Sequence, residues 1–496
     1  MTTAPNEQPR NVINTLPTEL MIEIFDYCRF ELDIIAPDLM DPTTAPRLLM
    51  HVCQHWRYIV TTTPQLWDAF LIDVSERVWE TEFEECIRRS ADRRLTVTLL
   101  SGWEDPLDGL DYANLRMFAQ YCHRVKHLKI DITQMIFLLV NQFLSTSVLL
   151  ADRRDHLQFP ALKSFSIARE LYWDDPTMIF KVYPITAFSE APELQNLLLG
   201  AIPAAGFKFD YNAYGANLVH FGSVVESLNE LNDLFSDMPN LNSAAVVIKI
   251  SHNLEGIAGS LRAAPTVHHA CLQELKLDLM WGQNGLEPSV LPDIVACFML
   301  PALKSLVLPY MQNKKWGQIL AERSPQLAEL TISGSGEYPW YETTQGIIDL
   351  FKPLPTLRLI SVQDATPEFL RSFFDAYGSE LSIFPMLQEL LFERLSPPEI
   401  ALYAFLMFAG PAISLRKHSA PLVTLRSVTA QAIGTTQDVY PPPEYAAILQ
   451  KLASQGIEFD ISYSVESDDL DEEMEETIIS VEPAVISKDL VVSWLE

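Results

Sequence analysis

The feature that most constrains this chain is a short motif that keeps returning after residue 90. An apolar residue is followed by two free positions, a second apolar residue, one free position and a third apolar residue. The copies are VKHLKI from Val125, LKSFSI from Leu162, LQNLLL from Leu194, LNSAAV from Leu241 and LQELKL from Leu272, then LKSLVL from Leu303, LAELTI from Leu327, LRLISV from Leu357 and LQELLF from Leu387. Weaker members are LVHFGS from Leu218 and the stretch from Leu422 to Val428. Proline stands two residues ahead of many copies, at Pro160, Pro192, Pro239, Pro301, Pro325, Pro355 and Pro385. Each copy is too short and too alternating for a helix, so each predicts a short strand.

Helical spacing fills the gaps. Thr366 caps and Pro367 opens a predicted helix with Phe369, Leu370, Phe373, Phe374 and Tyr377 inward, which Gly378 closes. Val225, Leu228, Leu231, Leu234 and Phe235 form another, and Tyr445, Ile448, Leu449 and Leu452 a third. The longest uncharged run, Ile400 to Leu415, is too short for a membrane span and predicts a buried helix ending at Gly410-Pro411. Strand and helix alternating at a rough period predict a solenoid over 90–462, in which each unit buries its apolar face against its neighbours.

The first 72 residues read differently. Residues 1–11 are polar and predict disorder, and 12–72 predict three short helices. Pro17 suits a first helical position and Glu19 the positive end of the helix dipole. Leu20, Ile24 and Tyr27 recur at helical spacing, with Met21 and Phe25 beside them. A loop carrying Pro37, Pro42 and Pro46 follows. The second helix is expected to start near Pro46 and to carry Leu48, Leu49, Val52, Cys53, Trp56 and Ile59 as one stripe; the third ends in Leu66-Trp67.

The ordered elements Leu-Pro-x-Glu-Leu with Ile-Phe, Val-Cys-x-x-Trp-Arg and Pro-x-Leu-Trp within INTLPTELMIEIFDYC…APRLLMHVCQHWRYIVTTTPQLWDAF resemble the F-box family. That likeness covers residues 12–72, and the loop from Glu31 to Ala45 is longer than in compact members. The later repeats look like the irregular leucine-rich repeats that often follow an F-box, without the asparagine usual after the strand motif. The resemblance implies an α+β and α/β chain: a three-helix F-box, then an irregular leucine-rich-repeat-like β-α solenoid with a parallel sheet. It further implies that the helices bind the Skp adaptor, and through it a cullin scaffold and a ubiquitin-conjugating enzyme, while the repeats hold a protein substrate. The physical reading agrees, because so small a helix set leaves apolar surface uncovered. The expected anchors are Leu16, Pro17, Leu20, Ile24, Phe25, Leu48, Val52 and Trp67, with Trp56 and Cys53 in the module's own core. A rival reading is a repeat scaffold without a ubiquitin role, the helices serving as its cap.

Charge and chemistry narrow the function further. Asp and Glu number 65 against 35 Lys and Arg, a net charge of −30, which disfavours nucleic acid and anionic membrane as partners. Six scattered cysteines without a C-x-x-C pair and the lack of a secretory leader lead us to expect a cytoplasmic or nuclear protein. No phosphate-loop, dinucleotide, nucleophile-elbow or zinc-protease motif occurs, so neither catalysis nor a cofactor is expected. His51 and His55 sit four apart, without the further ligands zinc needs, and His123 and His127 are read as surface residues. Ser333 to Gly336 reads as a loop. Eight acidic residues from Glu466 to Glu476 place a disordered segment over 464–477, and 478–496 returns to helical spacing through Leu490, Val491, Trp494 and Leu495.

Strand alternation also predicts a substrate face. With Leu275 and Leu277 inward, Glu274, Lys276 and Asp278 point outward, and the same register exposes Glu329, Thr331, Glu389 and Glu393. Their sum is negative, which suits a basic segment of a partner.

Overall fold

The structure is a computed structural model that describes residues 16–29, 43–73, 80–100, 117–131, 158–167, 187–188, 191–203, 209–225, 228–250, 267–281, 291–309, 316–333, 343–395, 398–419, 425–434 and 457–465. The chain divides into two compact units, Met1–Val224 and Val225–Glu496. The predicted helix around Tyr445, the Gly334–Gly336 loop, the acidic run and the C-terminal segment lie outside the described residues.

The first unit opens with helices α1 (Thr18–Tyr27), α2 (Arg47–Met50) and α3 (Gln54–Thr62) and a 3-10 turn at Pro64–Trp67. Strands β1 (Ala69–Asp73), β2 (Leu95–Leu100), β3 (Val125–Asp131), β4 (Ser164–Ile167), β5 (Asn196–Pro203) and β6 (His220–Val225) follow, with α4 (Glu80–Arg89) between the first two and α5 (Tyr211–Tyr214) before the last. The strands pair in parallel and in sequence order. The sheet thus begins at Ala69, earlier than the repeat motif indicated, because β1 pairs with β2 although its sequence AFLID lacks the motif.

In the second unit β7 (Ser243–Ile250), β9 (Glu274–Trp281), β11 (Ser305–Pro309), β12 (Glu329–Ser333), β13 (Leu359–Gln363), β14 (Glu389–Leu395), β15 (Ser427–Gly434) and β16 (Glu458–Val465) form an open parallel sheet in that order. Two short strands, β8 (Val267–His268) and β10 (Phe298–Met299), pair separately. Helices α6 (Leu228–Asp237), α7 (Leu291–Ala296), α8 (Trp316–Arg323), α9 (Thr344–Phe351), α10 (Pro367–Ser379) and α11 (Pro398–Ser419) make the connections.

The repeat has a mechanical explanation. All seven prolines ahead of the motifs occupy the second position of a tight turn, where a fixed φ suits a type I turn. The lead leucine closes that turn by donating its N–H to the carbonyl three residues back, as from Leu162 to Phe159 at 3.1 Å, Leu303 to Leu300 at 3.1 Å and Leu327 to Ser324 at 3.1 Å. At most strand starts one carbonyl then accepts two N–H groups from the next repeat. Lys304 O takes Ala328 and Glu329 at 2.8 Å each, and Arg358 O takes Gln388 at 2.7 Å and Glu389 at 3.0 Å. The same join, repeated, aligns the strands and stacks the inward residues into rows, with register shifts only in the β2–β3, β5–β6 and β14–β15 pairs among the described strands. Leu275, Leu306, Leu330, Ile360, Leu390 and Val428 form one such row, all buried. Fully burying each aliphatic side chain contributes about 1.5–3 kcal/mol, so the rows are the main cohesive term.

Several local expectations need correction. The second helix is not continuous: Cys53 adopts extended backbone (φ −159°, ψ 171°), separates α2 from α3 and caps the latter, its Sγ accepting from Trp56 N at 3.5 Å. His51 and His55 therefore do not share a helix face, and no cluster of metal-ligating side chains occurs among the described residues. Val225 ends β6 instead of opening α6. Thr366 does cap α10, accepting from Phe369 N, but the helix passes Gly378 to Ser379. Its last turn meets α11 so closely that a Cβ on Gly378 would lie 3.3 Å from Ala412 Cα. Helix α11 likewise runs through Pro411 to Ser419, with the proline ring facing outward. Arg416, buried near its end, donates to the carbonyls of Tyr377 at 2.9 Å, of Glu380 at 3.3 Å and of Ile383. Tyr377 O lies in the last turn of α10 and Ile383 O just beyond it, where intrahelical donors run out, and tertiary capping of this kind outweighs the local breaker signal. No helix among the described residues is long and apolar enough to cross a membrane.

Candidate partner-binding surfaces

Helix α1 has two apolar sides. Met21 and Phe25, one turn apart, point into the module and are buried. Leu20 and Ile24, also one turn apart, are 45% and 46% exposed, and Tyr27 continues their stripe. Leu48 on α2 and Val52 just beyond it are 48% and 55% exposed, and Tyr58 on α3 is exposed too. Pro17 is exposed and Leu16 half-buried. Of the eleven exposed large apolar residues in the described chain, six fall between Leu20 and Val52 or at Tyr58. A run of fewer than forty residues thus carries most of them.

Two of the eight expected anchors are not surface residues. Phe25 is 0% and Trp67 1% exposed. Phe25 packs on Trp56, ring centroids 4.8 Å apart, so it belongs to the core under the stripe. Trp67 is held from several directions. Its Nε1 donates to Val60 O at 2.8 Å, and the Arg89 guanidinium lies over its ring at 4.4 Å. Arg89 is aimed in turn by Glu85, which its Nε reaches at 2.8 Å, and the hydrogen bonds from Arg88 and Arg89 bring the Glu85 carboxyl down to about 2. Trp67 therefore joins the helices to α4. Trp56 and Cys53, expected in the core, are only half-buried at its rim. Sequence reasoning placed Tyr27 on the helical stripe without naming it an anchor, and it missed Tyr58. The i, i+4, i+7 spacing from Leu20 was the available signal for Tyr27; none marked Tyr58.

A buried cation anchors the module's other end. Arg29 donates to Asp68 Oδ1 at 3.2 Å and to Gln65 O, while Arg93 Nε donates to Asp68 Oδ2 at 2.6 Å. Asp68 thereby ties the end of α1 to the start of β2.

The outward strand rows form the second surface. Glu274, Lys276, Asp278, Glu329 and Glu389 are exposed, and Thr331 and Glu393 are half-buried, while Leu275, Leu277, Leu330, Leu390 and Phe392 between them are buried. Register puts Glu274, Ser305, Glu329, Leu359, Glu389, Ser427 and Glu458 in one line across successive strands. Carboxylates therefore recur on alternate strands, about 9–10 Å apart given the spacing of paired strands. Lys276 and Thr331 share the next line with Ser361. Glu393 lies in a third line, opposite Gln363, whose Nε2 donates to it at 2.6 Å. Asp278 pairs with Val247 of β7. The corresponding line in the first unit is Thr96, His127, Ser164, Asn196 and His220, with no carboxylate in it. His123 is exposed and His127 half-buried. No protein-family model matches the chain, and no curated protein sequence matches it.

Proposed function

We propose that this protein is the substrate receptor of a Skp–cullin–F-box ubiquitin ligase and performs no chemistry itself. In this reading the N-terminal helices are an F-box-like module that docks the Skp adaptor, and the parallel-strand region is a leucine-rich-repeat-like solenoid that holds a protein substrate. The observation that carries the reading is the exposed stripe of Leu20, Ile24 and Tyr27 on the side of α1 opposite its buried Met21 and Phe25. An isolated helical cap has no use for that surface, whereas an interface core is built from such side chains. The alternating carboxylates of the second unit suit a basic substrate segment.

One observation favours the scaffold alternative. Trp67 and Arg89 seat the helices firmly on α4, as a solenoid cap would be seated. Co-expression with a tagged Skp adaptor decides between the two. The receptor reading expects the full chain to be captured, and Leu20→Glu with Ile24→Glu to abolish capture while leaving circular dichroism unchanged, since neither side chain supports the core. Failure of the unaltered chain to bind the adaptor would leave the scaffold.

A further inference from the structure

A cationic patch of this acidic chain lies in the first unit, along the rim where β2–β5 begin. Lys126 and Lys163 stand at the starts of neighbouring strands, joined through Lys163 N, which donates to Lys126 O at 2.7 Å. Gln195 follows on the next strand, its N–H donating to Lys163 O at 2.9 Å. Lys163 and Gln195 line an open cleft of about 320 Å³ together with Pro192, Glu193 and Asn217. The single carboxylate of that cleft is already engaged: Arg94 donates to Glu193 in a fork, at 2.6 and 3.0 Å. Lys163 approaches the same carboxylate only at 4.0 Å, and Lys126 has no carboxylate within ion-pairing distance among the described residues. Cationic charge is therefore in excess here. Its field is felt by His127, whose pKa is lowered by burial and by Lys126 and Lys163.

We propose that this rim binds an acidic, extended peptide segment of a partner, with Lys126 and Lys163 supplying charge and Gln195 and Asn217 supplying amide hydrogen bonds. Successive strand starts lie about 4.8 Å apart, so the three positions span about 10 Å, close to the reach of a few residues of extended chain. The nature of the cations selects carboxylates over a single phosphate. Phosphate recognition favours the forked guanidinium, and each nearby arginine is already committed. Arg93 binds Asp68, Arg94 binds Glu193, and Arg124 donates to Arg93 O at 2.9 Å and Ser90 Oγ at 2.8 Å. Lysines at a rim offer a diffuse field that a run of acidic residues fills. This inference rests on the repeat region being a partner surface but not on the ligase assignment.

Fluorescence anisotropy of the full chain with a labelled twelve-residue Glu/Ser peptide tests it, with Gln/Ser and Lys/Ser peptides beside it. Net charge alone would repel the first, so its binding, weakened by salt and absent for the Gln peptide, is the expected result. Lys126→Glu with Lys163→Glu should weaken binding about tenfold or more. Lys304→Glu, which reverses an exposed lysine of the second unit, should leave it unchanged. Lys126→Gln with Lys163→Gln gives an intermediate loss. No binding of the Glu peptide, equal binding by the double reversal, or an equal loss in the Lys304 control overturns the proposal. Neutralising the chain's own acidic run from Glu466 to Glu476 should not alter the affinity. A tenfold gain there would assign the rim to that run and remove the external partner. Adaptor capture by the same variants is read in parallel: it stays intact if only the rim is affected, and its absence in every variant points to the ligase reading instead.

Discussion

At the level of single residues, α1 puts two adjacent apolar side chains into opposite surroundings. Phe25 and Ile24 are neighbours of similar hydrophobicity, yet one is buried and the other half in water, because interface anchors and core residues share a composition. The two module tryptophans show the consequence. Trp67→Ala empties a closed site and leaves Val60 O without its donor, so it should cost about 3–5 kcal/mol. Trp56→Ala removes a ring already half in water and should cost about half of that. Urea unfolding followed by circular dichroism measures both, and equal losses would contradict the burial. His269 illustrates a role that motif reading passes over. It is buried, its Nδ1 accepts from Leu272 N at 3.1 Å, and its Nε2–H donates to Met238 O at 2.8 Å. Burial lowers its pKa, and His268 adds to the effect against the opposing hydrogen bond to Met238. Protonation would set an N–H against the Leu272 N–H. The unfolded chain therefore binds the proton more readily, near pH 6.5, and stability is complete above that value and declines as pH falls toward the lower folded value. The thermal midpoint of His269→Gln should be lower than the parent's at pH 7.5 but fall less on going to pH 5.5.

Elements were more legible than residues, because period and punctuation are physical. The nine full motif copies fall on strands or strand starts, since a buried lead residue, alternating apolar residues and, in seven copies, a turn proline leave one way to bury the chain. The failures share a cause. Helix α11 outlasts its Gly-Pro, and the second predicted helix breaks at Cys53 where no breaker stands, because packing against neighbours decided both. Glycine inside a helix is another such case. Helix propensity alone favours alanine over Gly317, but α8 and α9 approach so closely there that a Cβ would lie 1.9 Å from Leu350 O. Gly317→Ala must push the helices apart, although alanine is the better helix former. We expect a loss of about 3 kcal/mol or more instead of the gain that propensity assigns. A raised midpoint in urea would show that the two helices separate easily.

For the molecule as a whole, net charge was readable from composition but its distribution was not. A charge of −30 suggests one uniformly acidic surface, whereas register sorts the outward lines by unit. Glu274, Glu329, Glu389 and Glu458 recur on alternate strands of the second unit, and the matching line of the first unit holds none. Function is therefore expected to separate by salt as well as by site. If the proposed adaptor docks on Leu20 and Ile24, the contact is apolar and should survive 0.5 M salt, where screening falls to roughly 4–5 Å. Capture of a basic partner by the carboxylate line should weaken steeply over the same range, because its charges are exposed and spaced across several strands. Reversing Glu274, Glu329 and Glu389 to lysine places three cations where the partner's own would lie. Proximity labelling with that variant should lose basic partners and keep the adaptor. If the partners are unchanged while the adaptor is retained, the carboxylates only solvate the sheet, and the basic-partner reading of that line fails.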